Sequence, residues 1–195
     1  KWSRTNRETV SDVSINPNNI NELFIGTVGA GIFYSNDGGE TWTAKPLPLD
    51  NTGRISVQQS PSDPNKIYAL VDVAGPNGAA GMGHILLSTD KGDSWTDAYS
   101  EIGIFNTNDQ GGYDNFVTVH PKNANIVLVG GVNLFRTSDG GKSWSQVAGY
   151  NFSSTHPDTH CGYFSPFDPN IVYFGSDGGM CKSEDAGETW RTINN

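Results

Sequence analysis

One pattern recurs four times along the chain and constrains its fold more than any other feature: hydroxyl-x-Asp-x-Gly-x-hydroxyl-Trp. It reads SNDGGETW from Ser35 to Trp42, STDKGDSW from Ser88 to Trp95, TSDGGKSW from Thr137 to Trp144 and SEDAGETW from Ser183 to Trp190. The four tryptophans are 53, 49 and 46 residues apart. A period near fifty residues marks a repeat architecture, in which each repeat is one supersecondary unit that buries its core against its neighbours.

A second element precedes each box: SINPNNINELFIG (14–26), QSPSDPNKIYAL (59–70), VHPKNANIVLVG (119–130) and FSPFDPNIVYFG (164–175). In each, proline ends an alternating segment, Asn or Asp makes a turn, and an apolar strand follows. A third strand (GIFYS, HILLS, LFRTS, MCKS) leads into the box, and a fourth (TWTAKP, SWTDAY, SWSQVA, TWRTIN) leaves it. Each repeat is therefore a four-stranded antiparallel meander, the unit of a β-propeller blade. The expected fold is all-β: a single propeller array over 1–195, with blades at about 9–48, 53–99, 112–149 and 156–195. Trp2 stands where a box tryptophan would, so residues 1–8 read as the remnant of a preceding blade or as a closing strand. Four blades suit a segment of a larger propeller of six or more; a compact four-bladed ring is the alternative.

The box S-x-D-x-G-x-T-W resembles the Asp-box, or BNR repeat, of sialidases, xyloglucanase-type glycoside hydrolases and sortilin-like ectodomains. Together with VGGVNLFRTSDGGKSW and YFGSDGGMCKSEDAGETW, it is most similar to bacterial secreted BNR-repeat proteins labelled glycosyl hydrolase. That resemblance implies a location outside the cell or on its surface and a carbohydrate partner, with the rest of a larger polypeptide as a second partner. It does not assign an activity, because one fold hosts many functions.

Four equivalent carboxylates in four equivalent hairpins have a local task. Asp37, Asp90, Asp139 and Asp185 are expected to accept hydrogen bonds from their own turns, with the glycines supplying positive φ. Trp42, Trp95, Trp144 and Trp190 are expected to cover the turn or to lie between blades, each burying apolar area worth on the order of a few kcal/mol. The box is the turn between the third and fourth strands, so ligand chemistry belongs on the opposite rim.

Composition narrows the partners. A formal charge of −9, with only 12 Lys and Arg spread along the chain, offers no cationic footprint for a phosphate backbone. No apolar run approaches the roughly eighteen residues of a membrane span. The two cysteines, Cys161 and Cys181, read equally as a disulfide or as two free thiols.

Deviations between repeats locate candidate chemistry. From the first-strand proline to the box aspartate, blade two is about ten residues longer than the others, through DVAGPNGAAGMG (Asp72 to Gly83), a Gly/Ala-rich flap on the expected ligand rim. Blade four opens with THPDTHCGYF, where His156, Asp158 and His160 alternate. In extended backbone all three project to one side, fit to orient an acid or base or to ligate a metal. No cofactor is otherwise indicated. GSDGG puts Asp177 on the same rim, and QGGYDN adds Tyr113 and Asp114. The catalytic candidates are Asp114, Asp158 and Asp177; the binding candidates are Tyr113, His156, His160 and Arg54.

The resemblance can be tested residue by residue. A sialidase needs an arginine triad, but of Arg4, Arg7, Arg54, Arg136 and Arg191 only Arg54 is well placed, since Arg136 and Arg191 fall in third and fourth strands. A xyloglucanase-type hydrolase uses two aspartates across a cleft between two propellers, for which Asp114 and Asp158 form a candidate pair. A non-catalytic binding scaffold is the alternative. A sortilin-like peptide site would need an apolar tunnel, of which the sequence gives little sign.

Overall fold

The computed structural model describes residues 6, 8–74, 82–99 and 110–194. Trp2, Arg4, Arg7 and most of the blade-two insertion (75–81) lie outside the described residues. Among the described residues, sixteen strands form four separate four-stranded sheets, each an antiparallel meander in chain order. Blade one comprises β1 (Val10–Ile15), β2 (Leu23–Thr27), β3 (Ile32–Ser35) and β4 (Thr43–Lys45). Blade two comprises β5 (Thr52–Gln59), β6 (Ile67–Val73), β7 (Met82–Ser88) and β8 (Thr96–Tyr99). Blade three comprises β9 (Phe116–Val119), β10 (Val127–Gly130), β11 (Leu134–Thr137) and β12 (Ser145–Ala148). Blade four comprises β13 (Thr159–Phe164), β14 (Val172–Ser176), β15 (Gly179–Ser183) and β16 (Arg191–Thr192). The all-β propeller fold is the one the repeats predict.

The proline turns close each blade's first hairpin in one way. Asn16, Ser60, His120 and Ser165 each donate their backbone N–H to the carbonyl six residues on, at Glu22, Lys66, Ile126 and Ile171. The side chain of the Asn or Asp two residues before a turn amide then accepts from it, as Asp63 does from Asn65, Asn123 from Asn125 and Asp168 from Asn170. The backbone thereby turns without leaving its polar groups unmade.

The boxes share one hydrogen-bond pattern. Ser35, Ser88, Thr137 and Ser183 each donate to the Asp two residues on at 2.7–2.8 Å and accept the backbone N–H of the glycine four residues on. The second hydroxyl, on Thr41, Ser94, Ser143 or Thr189, donates to the other Asp oxygen at 2.5–2.6 Å. Gly39, Gly92, Gly141 and Gly187 have φ of 80–92°, a conformation open to glycine at no steric cost. Lys91 and Ala186 adopt left-handed φ of 58° and 55° one position earlier, so the hairpin tolerates a side chain there. Hydrogen bonding from Thr41 and Ser94 holds Asp37 and Asp90 down at about 2. The box is a self-contained pin.

The core lies between blades. One cluster joins Phe24 and Ile32 of blade one to Ile55, Val57, Ile67, Ala69, Val71 and Leu86 of blade two, with Trp95 packed against it. A second joins Tyr68, Leu70 and Ile85 to Val117, Val119, Val127, Val129 and Phe135, with Trp144. A third joins Leu128, Leu134 and Ala148 to Val172, Phe174, Cys181 and Trp190. Each of these tryptophans thus packs toward the preceding blade. Close approach at the interfaces demands small residues: a Cβ at Gly26 would lie 2.3 Å from the Ile55 carbonyl oxygen of blade two, and one at Gly130 would lie 2.4 Å from Thr159 Oγ1 of blade four.

The first strands are the inner ones. β1 packs on β5, β5 on β9 and β9 on β13, and residues of all four line a cavity of about 320 Å³. Side chains stitch their backbones together: Asp12 accepts from Val57 N at 2.9 Å, Ser14 from Gln59 N at 2.9 Å, and Gln58 from Val119 N at 2.7 Å. Cys161 on β13 is exposed, Cys181 on β15 is buried, and both are free thiols, so the disulfide alternative falls.

Candidate functional site

Three connections on the rim opposite the boxes converge at the blade three to blade four junction. A short 3-10 turn at Gln110–Gly112 leads to Tyr113 and Asp114 ahead of β9. It is closed by hydrogen bonds from the Tyr113 and Asp114 amides to the Gln110 carbonyl, both 2.8 Å. Asp158 precedes β13, held by a bond from its N–H to the Val132 carbonyl at 2.9 Å. Asp177 occupies the two-residue turn between β14 and β15, and its N–H donates to the Asp158 carbonyl at 3.1 Å. The backbone itself fixes the two aspartates side by side.

His160 sits at the centre. Its Nε2 lies 2.6 Å from Asp177 Oδ1, and its Nδ1 lies 3.2 Å from Asp114 Oδ1. Asp114 has no exposed surface, and its carboxyl meets the His160 ring on one side and the Asp158 carboxyl on another. Burial first, then the charge of Asp158, push its acid up to about 6. Buried away from water, its ionised form is disfavoured, which is how proteins keep a carboxylic acid available near neutral pH. Tyr113 is 58% exposed and meets His160 edge to face, ring centroids 4.7 Å apart. Its phenol is pushed up, chiefly by the charge of Asp177. The structure therefore brings together Tyr113, Asp114, Asp158, His160 and Asp177: three carboxylates, one imidazole and one exposed aromatic side chain.

The expected His156–Asp158–His160 face does not form. β13 begins only at Thr159, Asp158 takes a left-handed φ of 60°, and the pairing of β13 with β14 is irregular between Thr159 and Cys161. Each departure breaks the two-residue alternation. His156 is exposed, its Nδ1 2.9 Å from the Pro157 carbonyl oxygen, and its Cβ lies against Gly178. Among the described residues no three His, Cys, Asp or Glu side chains are placed to hold a metal ion. Arg54 turns its guanidinium to the carbonyls of Tyr113 and Gly112, at 3.0 and 3.5 Å, where it ties blade two to the turn that carries Asp114. Arg136 and Arg191 lie in β11 and β16, far along their blades from the inner strands.

Two further residues, one behind the rim and one in the cavity between the inner strands, are not singled out by motif reading. Asn115 is 1% exposed and donates to the carbonyls of Arg54 and Gly111; it anchors the loop behind Asp114. Asp12 on β1 lines the cavity and accepts from Val13 N and Val57 N, with burial raising its acid. Neither lies in a repeated motif, and only their place at the entry of inner strands could have drawn attention to them.

The fold and this rim define a four-blade propeller array with an acidic, aromatic mouth on the face opposite its boxes. No family model matches the chain. It is similar to a xyloglucanase of Hypocrea jecorina (strain QM6a), 27% identical over 138 residues, which cover 66% of this chain and 16% of that protein. It is likewise similar to the xyloglucanase Xgh74A of Acetivibrio thermocellus, 27% identical over 124 residues, covering 62% and 14%. The chain thus spans a small fraction of the relatives it matches. Among solved structures, the GH74 xyloglucanase from Xanthomonas campestris superposes with a TM-score of 0.74 at 18% identity, over 96% of this chain and 31% of that one. An ancestral GH74 enzyme gives 0.71 at 23% identity, over 100% and 25%. These likenesses are to parts of larger β-propeller proteins.

Proposed function

We propose that this chain is a glycan-directed propeller segment of a larger, glycoside-hydrolase-like protein that works outside the cell or at its surface. The observation that carries the reading is the convergence of Asp114, Asp158, Asp177 and His160 beside the exposed Tyr113. Sugars are held by aromatic faces and polar hydrogen bonds, and glycosidic bonds are cleaved by carboxyl groups in unequal protonation states. Asp114, buried with its acid near 6, is the candidate proton reservoir. Asp177, with 45% of its side chain exposed, is the candidate carboxylate that meets substrate. The xyloglucanase relatives support a β-glucan as the first substrate to try.

A non-catalytic glycan-binding scaffold is the second reading. It is favoured by the placement of Asp114 and Asp158 as neighbours on one rim, on blades three and four, rather than across a cleft. Release of reducing sugar from xyloglucan, alongside binding to a glycan array, separates the two for the wild type and for Asp177→Asn. Hydrolysis lost in the variant supports the enzyme; binding without hydrolysis supports the scaffold. Absence of both binding and hydrolysis in the wild type would refute the glycan reading.

A further inference from the structure

The connection from β12 into blade four, on the rim opposite the boxes, carries two aromatic residues that the site described above does not use. The corresponding connection after β4 turns Leu47 and Leu49 inward, where they pack against the core between blades one and two. After β12, Tyr150 and Phe152 are spaced in the same way but stay 51% and 37% exposed. Their backbone is nonetheless fixed. The Tyr150 amide donates to Asn133 Oδ1 at 2.9 Å, the Gln146 carboxamide donates to the Tyr150 carbonyl at 2.7 Å, and the Gly149 amide donates to Thr155 Oγ1 at 3.1 Å. Asn151, between the two rings, takes a left-handed φ of 76°, a turn conformation that asparagine tolerates. Single apolar residues on a surface are ordinary, but two rings presented together on an ordered loop mark an interaction surface.

This loop adjoins the candidate site. The Asp158 amide is bonded to the carbonyl of Val132, and the Tyr150 amide to the side chain of the next residue, Asn133. The two backbone nitrogens therefore lie within about 14 Å of each other along those bonds. In a chain of formal charge −9, the stretch from Ser143 to Pro157 contains no Asp, Glu, Lys or Arg. Beside the rings it exposes Asn151, Ser153 and Ser154. We propose that Tyr150 and Phe152 form a second sugar subsite, which makes the rim selective for extended neutral glucans over short ones; this rests on the glycan reading given above. Aromatic faces take the apolar side of a sugar ring, and amide and hydroxyl side chains take its neutral hydroxyls. A loop ordered before binding loses little entropy on binding. A charged ligand finds no countercharge on this loop.

The test is calorimetric binding of cellotriose and cellohexaose to the full chain. The longer glucan is expected to bind about tenfold tighter, the scale of one further aromatic contact. Tyr150→Ala combined with Phe152→Ala should remove most of that gain while leaving the affinity for cellotriose unchanged. Neither ring belongs to a core cluster, so the double variant should fold with an unchanged urea midpoint. Tyr150→Phe keeps the ring and should keep the gain. Phe167→Ala removes an aromatic that is 95% exposed in the turn between β13 and β14, on the box face, and should also leave the gain intact.

Cellohexaose binding no tighter than cellotriose overturns the proposal while leaving the glycan reading standing. A gain that survives in the double variant, or one lost equally in Tyr150→Phe or Phe167→Ala, also overturns it, since none of these would place the effect on the rings of this loop. Failure of both glucans to bind the wild type overturns both readings.

Discussion

Asp114→Asn should abolish a pH dependence of stability that the wild type carries at one buried group. The folded chain holds this acid at about 6 against an ordinary 3.8, through burial first and the Asp158 charge second. Because the folded pKa lies above the unfolded one, the folded state binds more protons between these values. Stability is therefore greatest below about pH 4 for this group and is lost as pH rises toward 6. At 1.36 kcal/mol per pH unit, ionising it costs the fold at most about 3 kcal/mol, and Asn at 114 has no charge to acquire. Urea unfolding of both proteins, followed by tryptophan fluorescence from about pH 4 to pH 8, isolates the effect as the difference between two curves. That difference should move in favour of the variant across pH 4 to 6 and then stay level. Parallel curves would refute the argument that burial and the Asp158 charge outweigh the His160 contact at Asp114.

Other consequences can be measured separately. The box carboxylates have the opposite sign: Asp37 and Asp90 are held at about 2 by hydrogen bonds, so their stabilisation is present above about pH 4 and lost as pH falls toward 2. Asp37→Asn should therefore flatten acid unfolding in that window, and an unchanged acid limb would contradict the box geometry. Trp190→Ala empties a position 8% exposed, whose ring meets Phe174 at 4.7 Å. It should cost about 3–5 kcal/mol, read as a lowered denaturation midpoint, and a loss below about 1 kcal/mol would contradict its place between blades three and four. Gly130→Ala puts a methyl 2.0 Å from the Phe116 ring and 2.4 Å from Thr159 Oγ1. It should destabilise by about 1–3 kcal/mol through overpacking, and a neutral effect in the same unfolding assay would show that the interface yields.

The fold was legible because its instructions are local and repeated. A box needs only eight residues to close its hydrogen bonds, and Ser35, Asp37, Gly39 and Thr41 specify that closure without help from the rest of the chain. The convergence of Asp114, Asp158, His160 and Asp177 on one rim was foreseeable because strand order alone fixes which connections share a face. What alternation could not foresee was the left-handed turn at Asp158 and the late start of β13, set by bonds from Asp158 and Thr159 to blade three at Val132 and Gly131. Those long-range contacts take His156 out of alternation with His160, leaving it against Gly178. The burial of Asp114 depends in the same way on contacts far apart in sequence, such as Asn115 reaching back to Arg54.

Function on the rim opposite the boxes, at the junction of blades three and four, would be visible in a crystal of the chain soaked with a xyloglucan oligosaccharide. A sugar ring is expected against Tyr113, with a hydroxyl within hydrogen-bonding distance of Asp177 or Asp158. A sugar seated instead on the box face, beside Asp37, Asp90, Asp139 or Asp185, would contradict it.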